Sequence, residues 1–326
     1  MMSQATRELK TEALILKASD WKETDRLLWA FLPTEGLTKI IVKRARKHGA
    51  SLAGAGQALA WHTLHLKRVG SQALSNPLRS GSASQPYSQV KGSLGSEPSW
   101  WVLAQYTPQQ MFPSLKASMP SCLLGTLACE MMLGLLEAGG GSGHHGLQPL
   151  SCKDELPPAY QGMWQHTLTL FQLLEAHASP VSPVSESFST LGATELTPWH
   201  EVVLIRWLLR VLHEEGWLAP PAMCVECGVA LHHYQAQVYW HQEVGGCFCQ
   251  TCVEEEESFS EGTSRAILRP LTHEECMAWV SQFAPFWHMS TPQRASYQGL
   301  LVAWRNKLLD AWEVHYLRKL VTRDLF

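Results

Sequence analysis

Two Cys-x-x-Cys pairs constrain this chain more than any other feature: Cys224-Val225-Glu226-Cys227 and Cys249-Gln250-Thr251-Cys252 stand 21 residues apart. Each pair can turn two sulfurs toward one ion, and the separation is close to that of a two-knuckle structural zinc site. Gly228 follows the first pair, where such a knuckle must turn tightly. Four thiolates close a tetrahedral shell and leave no position for a reactive water. The spacing therefore predicts one structural Zn2+ held by Cys224, Cys227, Cys249 and Cys252. Cys247, His232, His233 and His241 lie within the intervening loop and are alternative ligands. The chain has nine cysteines, an odd count, and no signal peptide precedes them, so metal binding in a reducing cytosol is expected rather than disulfides.

The first seventy residues carry a second constraint. Glu12 to Lys17 alternates with Leu14 and Leu16 on one face, and Leu27 to Leu32 is a nearly continuous apolar run of strand length. Pro33 to Gly36 supplies a turn, a third strand follows, and Ala60 to Arg68 reads as a fourth. Four or more short strands in so little chain predict a small barrel or sandwich, with an OB-fold favoured. In the third strand Thr38, Ile40 and Val42 share one face, and Lys39, Ile41 and Lys43 the other. Arg44, Arg46 and Lys47 follow at once, and nine Lys and Arg occur between Gly36 and Ser96 with no Asp or Glu.

Charge is distributed unevenly. Met1 to Gly70 holds twelve Lys and Arg against six acids, a balance of +6, so the whole-chain charge of −3 leaves −9 for the remainder. Cations of one sign beside a sheet face are the footprint of a phosphate-backbone binder. Lys39, Lys43, Arg44, Arg46 and Lys47 are therefore the candidate DNA-binding residues, with Trp61 in the next strand as a stacking surface. The plainer reading is a solvated edge strand whose lysines discourage aggregation. Gly54-Ala-Gly56 is only a fragment of a nucleotide motif, since no phosphate-loop lysine follows.

Residues 71–99 are rich in Ser, Gly, Pro and Gln, and helical periodicity begins beyond them. The expected organisation is a DNA-binding barrel over 1–80, a linker or irregular segment over 81–118, and a mainly helical domain over 119–326 with the zinc module at 222–255. The apolar run from Cys122 to Leu136 is short for a bilayer and contains Glu130, so no membrane partner is expected. His144 and His145 in a glycine run read as solvated side chains. Thr197-Pro198 starts a helix that Gly216 ends, with Arg206, Arg210 and His213 as its polar stripe. Thr291-Pro292 starts a long last helix whose Leu301, Trp304, Leu308 and Trp312 recur at core spacing.

The stretch EALILKASDWKETDRLLWAFLPTEGLTKIIVKRARK, followed far downstream by LLRVLHEEGWLAPPAMCVECG and GGCFCQTC, resembles the RecO family of bacterial recombination-mediator and DNA-repair proteins. Lys22 and Arg44 stand where small or glycine residues are common in that family. The resemblance implies an α+β multidomain protein: an N-terminal OB-fold β-barrel followed by a mainly α-helical domain carrying a four-cysteine zinc module. It implies non-enzymatic work in the bacterial cytoplasm at the nucleoid. The expected partners are ssDNA and dsDNA, RecR, the C-terminal tail of single-strand-binding protein and, indirectly, RecA. An alternative is a zinc nucleobase deaminase, because His241-Gln-Glu243 precedes Cys249-x-x-Cys252. That reading leaves the first Cys-x-x-Cys without a purpose. A third is a zinc-stabilised interaction scaffold that never touches DNA.

Overall fold

The computed structural model describes residues 8–47, 49–69, 100–139, 158–178, 196–255, 268–316 and 320. The chain divides into two compact units, Met1–Met111 and Phe112–Phe326.

The first unit is built from five strands: β1 (Glu8–Trp21), β2 (Asp25–Leu32), β3 (Gly36–Val42), β4 (Ala60–Val69) and β5 (Trp100–Gln110). Consecutive antiparallel pairings join β1 to β2 and β2 to β3. A short parallel pairing, Ile40 with Trp101 and Ile41 with Val102, then joins β3 to β5. β4 pairs with both β5 and β1, which closes the ring in the order β1-β2-β3-β5-β4. Closure leaves no bare sheet edge, and the alternating residues Ala13, Ile15, Leu28, Ala30, Ile40, Val42, Leu64 and Leu66 fill the interior. The expected strand faces hold for Thr38, Ile40 and Val42, which are buried, and for Lys39, which is exposed. Ile41, on the Lys39 side, is buried as well.

The fifth strand corrects the expected linker over 81–118. Trp100–Gln110 belongs to the barrel, and Pro113–Ala117 forms α1 of the second unit. Register shifts at Trp61/His62 and His65/Leu66 break the period of two, and Pro108 sits at one of them, so the strand lacks a readable alternation. Residues 70–99, along with His144 and His145, lie outside the described residues.

The second unit continues with α2 (Met119–Gly139), α3 (Pro158–Ala178) and α4 (Pro198–Glu214). By length and composition α2 could cross a membrane, but most of it is buried within the fold. Thr197 is the N-cap of α4 as expected, although its hydroxyl pairs with His200 Nδ1 at 2.7 Å instead of a backbone amide. Gly216, with φ of 71°, ends the helix. Only Arg206, Arg210, His213 and Glu214 of its last three turns escape burial, which is the expected stripe with one acid added.

A three-stranded sheet follows, made of β6 (Val238–His241), β7 (Gly246–Cys249) and, after the short helix α5 (Gln250–Glu255), β8 (Leu268–Leu271), in the order β7-β6-β8. The chain ends in α6 (His273–Val280), α7 (Ala284–His288), α8 (Thr291–Ser296) and α9 (Gln298–Tyr316). The last helix is thus not continuous from Thr291, because Tyr297 leaves helical geometry at φ −104° and ψ 11°. Leu301, Trp304, Leu308 and Trp312 are wholly buried. Trp304 stacks on Trp279 of α6 at 5.1 Å, and Trp240 of β6 meets both edge-on, which fastens the small sheet to the last helix.

Candidate nucleic-acid face and four-sulfur cluster

The basic segment after β3 is held by the β1–β2 turn. Asp25, 6% exposed, accepts a hydrogen bond from the Arg44 backbone N–H at 2.8 Å, and its other oxygen lies 3.4 Å from Lys43 Nζ. Burial alone would raise this carboxyl; the Arg44 amide and the Lys43 ammonium outweigh burial and hold it below the ordinary value. Arg46 donates its backbone N–H to Thr24 at 3.0 Å, and its guanidinium lies 3.5 Å from Asp20. Arg26 reaches the other oxygen of Asp20 at 3.5 Å.

The sequence shows a cation cluster free of acids, but the fold brings Asp20 and Asp25 to Arg46 and Lys43 from across the turn. Two of the five cations are thereby ion-paired, the Arg46–Asp20 pair open to solvent and weak and the Lys43–Asp25 pair with its carboxylate buried. Among the described residues, Lys39, Arg44 and Lys47 are exposed and join none of the ion pairs found. Arg44 and Lys22 both have positive φ, 57° and 54°. Glycine adopts that conformation without penalty, whereas an L side chain there is strained.

Trp61 is not beside these cations in the strand register. Its partners are Leu14 on β1 and Gln110 on β5, whereas Lys39 is paired with Trp29 of β2. Trp29 in turn is paired with Lys17 of β1, whose ammonium lies 5.3 Å from the indole centroid. The face of β1, β2 and β3 therefore carries a Lys17–Trp29–Lys39 ladder. Sequence reasoning missed it because LLWAFL reads as an unbroken core run; only the barrel register shows that Trp29, between buried Leu28 and Ala30, faces outward. The fragment Gly54-Ala-Gly56 has a packing role: a side chain at Gly54 would strike Tyr106, and one at Gly56 would strike Arg26.

In the second unit, the sulfurs of Cys224, Cys227, Cys249 and Cys252 all lie within 4.8 Å of one another. The Cys227–Cys249 separation of 3.7 Å matches the edge of a ZnS4 tetrahedron, about 3.8 Å for Zn–S bonds of about 2.3 Å. Cys224 lies between Met223, bridged to Ala230, and the turn to Gly228, whose φ is 70°. Cys249 opens onto α5, which carries Cys252. The Cys249 backbone N–H points at Cys224 Sγ at 3.4 Å, the kind of donor that offsets thiolate charge. Cys247, His232, His233 and His241 are not members of this set. His241 Nδ1 accepts from the Val244 N–H at 3.3 Å, so the deaminase-like His-x-Glu segment is turned to its own loop. From Val211 to Ser264 the sequence holds nine Glu and no Lys or Arg, which makes this module a poor surface for phosphates.

A buried polar centre was not foreseen either. Glu201 of α4 is 1% exposed and meets Arg305 of α9 at 2.6 Å. Burial pushes its carboxyl up to about 7 against the opposing pull of Arg305. Next to it His200 sits between Ser121 at 3.3 Å and Thr197 at 2.7 Å, and burial, with a smaller contribution from His177, depresses it to about 3.

A five-stranded ring with this strand order and a basic outer face defines an OB-fold-type domain, the class of small barrel often used to hold oligonucleotides. Residues 2–87, about a quarter of the chain, match the family model described as Recombination protein O N terminal. Over these residues the chain is similar to the N-terminal domain of recombination protein O. No curated protein matches the chain.

Proposed function

We propose that this protein is a non-enzymatic recombination mediator that binds ssDNA and dsDNA, anneals complementary strands and, with RecR, helps load RecA onto strands coated by single-strand-binding protein. The observation that carries the reading is the set of exposed cations, Lys39, Arg44 and Lys47, on barrel strand β3 and the turn after it, which lie within the matched region. Phosphates carry no base identity, so binding through these residues is sequence-tolerant. Lys43 and Arg46 join when phosphates displace Asp25 and Asp20 from them.

One structural Zn2+ held by Cys224, Cys227, Cys249 and Cys252 fits the four-sulfur geometry. Bound there, the ion would add folding free energy to the module, and four sulfur donors leave no coordination position for a substrate. The Arg206 and Arg210 stripe of α4 is the candidate rim for the acidic tail of single-strand-binding protein. Work of this kind takes place in the bacterial cytoplasm at the nucleoid.

The deciding experiment is annealing of complementary strands coated with single-strand-binding protein. The proposal expects acceleration that the triple variant Lys39→Ala, Arg44→Ala, Lys47→Ala loses. No acceleration by the parent protein overturns the mediator reading.

A further inference from the structure

We infer that Trp29, with Lys17 and Lys39 opposite it on the flanking strands, is a base-stacking site that makes this face select nucleic acid with unpaired bases. The inference rests on the nucleic-acid reading above and adds to it what phosphate contacts alone cannot supply, a preference between paired and unpaired strands.

Leu28 and Ala30, on either side of Trp29, are fully buried in the barrel interior, so the indole between them stands on the outer surface and is partly exposed. Register places Lys17 and Lys39 directly across from it, and both are exposed. Neighbouring strands lie about 4.8 Å apart, so the two lysine backbones stand roughly 10 Å apart with the indole between them. An aromatic plane with a cation on each side presents a nucleotide with a surface for its base and charges for the phosphates before and after it.

Lys17 already tests the ring's electronics, since its ammonium sits 5.3 Å from the centroid. A base stacked on the indole replaces that exposed cation–π contact with a stronger one, and the displaced ammonium is free to pair with a phosphate. In a duplex each base face is covered by its neighbours, so the ladder then offers only its two charges. Arg44, at the end of β3, extends the cationic track past Lys39.

The test uses the full-length protein and three probes: a single-stranded oligonucleotide, a strand of the same length carrying a run of abasic sites, and the matching duplex. Stacking on one aromatic side chain is worth roughly five-fold or more in affinity. The parent is therefore expected to bind the intact strand at least about five-fold more tightly than the abasic one. Trp29→Leu, which keeps an apolar side chain of similar reach, is expected to remove that difference while leaving the salt dependence unchanged; Trp29→Phe is expected to keep most of it. Lys39→Ala is expected to do the reverse, lowering the salt dependence and preserving the ratio. Thermal melts of each variant establish that the barrel is intact. A parent that binds intact and abasic strands alike, or a folded Trp29→Leu that keeps the ratio, overturns the stacking site and leaves the phosphate-binding reading standing. A parent that binds none of the probes overturns both.

Discussion

Asp25 and Arg44 are joined by a single 2.8 Å hydrogen bond from the backbone N–H of one to the carboxylate of the other, across the ends of β2 and β3. Because Asp25 is almost fully buried and also faces Lys43, it fixes the start of the basic turn. Asp25→Ala leaves the Arg44 amide without its acceptor and is expected to cost about 1–3 kcal/mol of barrel stability. The folded carboxyl titrates below its ordinary value of 3.8. Its contribution is thus fully present above about pH 4 and is lost as pH falls through the folded value. Urea melts of the parent and Asp25→Ala at pH 7 and pH 3 check this: the difference should be larger at pH 7.

Salt titration separates the paired cations from the others. Three phosphate contacts through Lys39, Arg44 and Lys47 give a slope of log K against log salt near −2 for single strands, at about 0.7 per contact. Lys39→Ala with Lys47→Ala should flatten this by more than one unit. Lys43→Ala with Arg46→Ala should flatten it less, since those charges already face Asp25 and Asp20. Equal effects of the two double variants would show that the acids do not hold their partners in solution.

Removal of one thiolate should unfold a module and not a domain. Cys224→Ser is expected to drop bound zinc from one per chain toward zero and to expose the knuckle to proteolysis, since metal binding in such sites is worth on the order of 10 kcal/mol of folding free energy. Affinity for oligonucleotides should be unchanged. Elemental analysis together with a binding isotherm measures both, and zinc retained at full stoichiometry would reassign the ligand set.

Acid sensitivity of the helical unit should trace to His200. Its folded value of about 3 lies below the ordinary 6.5, so the neutral ring contributes stability that is present above pH 6.5 and is lost progressively as pH falls toward 3. His200 alone contributes a loss of about 2 kcal/mol between pH 7 and pH 5, and the neighbouring Glu201 carboxyl, raised to about 7, offsets it with a gain of similar size. His200→Gln should therefore make the melting temperature rise relative to the parent's as pH falls through that range. A profile identical to the parent's would place the titrating group elsewhere.

Much of this architecture was legible in the residues. Alternation in β3, the Thr197 and Gly216 helix signals and the doubled cysteine spacing all report local geometry. In β1 the expected Leu14 and Leu16 core face does not hold, because Ala13 to Leu16 are all buried and it is Ala13 and Ile15 that enter the barrel interior. What was illegible depends on contacts distant in sequence. β5 carries Pro108 and two register shifts, so it has no clean period. Asp20 and Asp25 approach the basic turn only after β1, β2 and β3 pair. Glu201 and Arg305 are 104 residues apart, and nothing in either helix announces the other. Trp29 was hidden by its apolar neighbours, which supplied a core explanation for the whole run.

Lys22 and Arg44 occupy left-handed backbone on two adjoining turns, the conformation that glycine adopts without penalty. An L side chain there carries roughly 1–2 kcal/mol of strain, so the barrel sits below the stability its own topology permits. Arg44→Gly relieves that strain and deletes one unpaired charge in the same step. Melting temperature and oligonucleotide affinity should then move in opposite directions, and selection of this barrel for heat resistance alone would tend to erase its electrostatics at that turn.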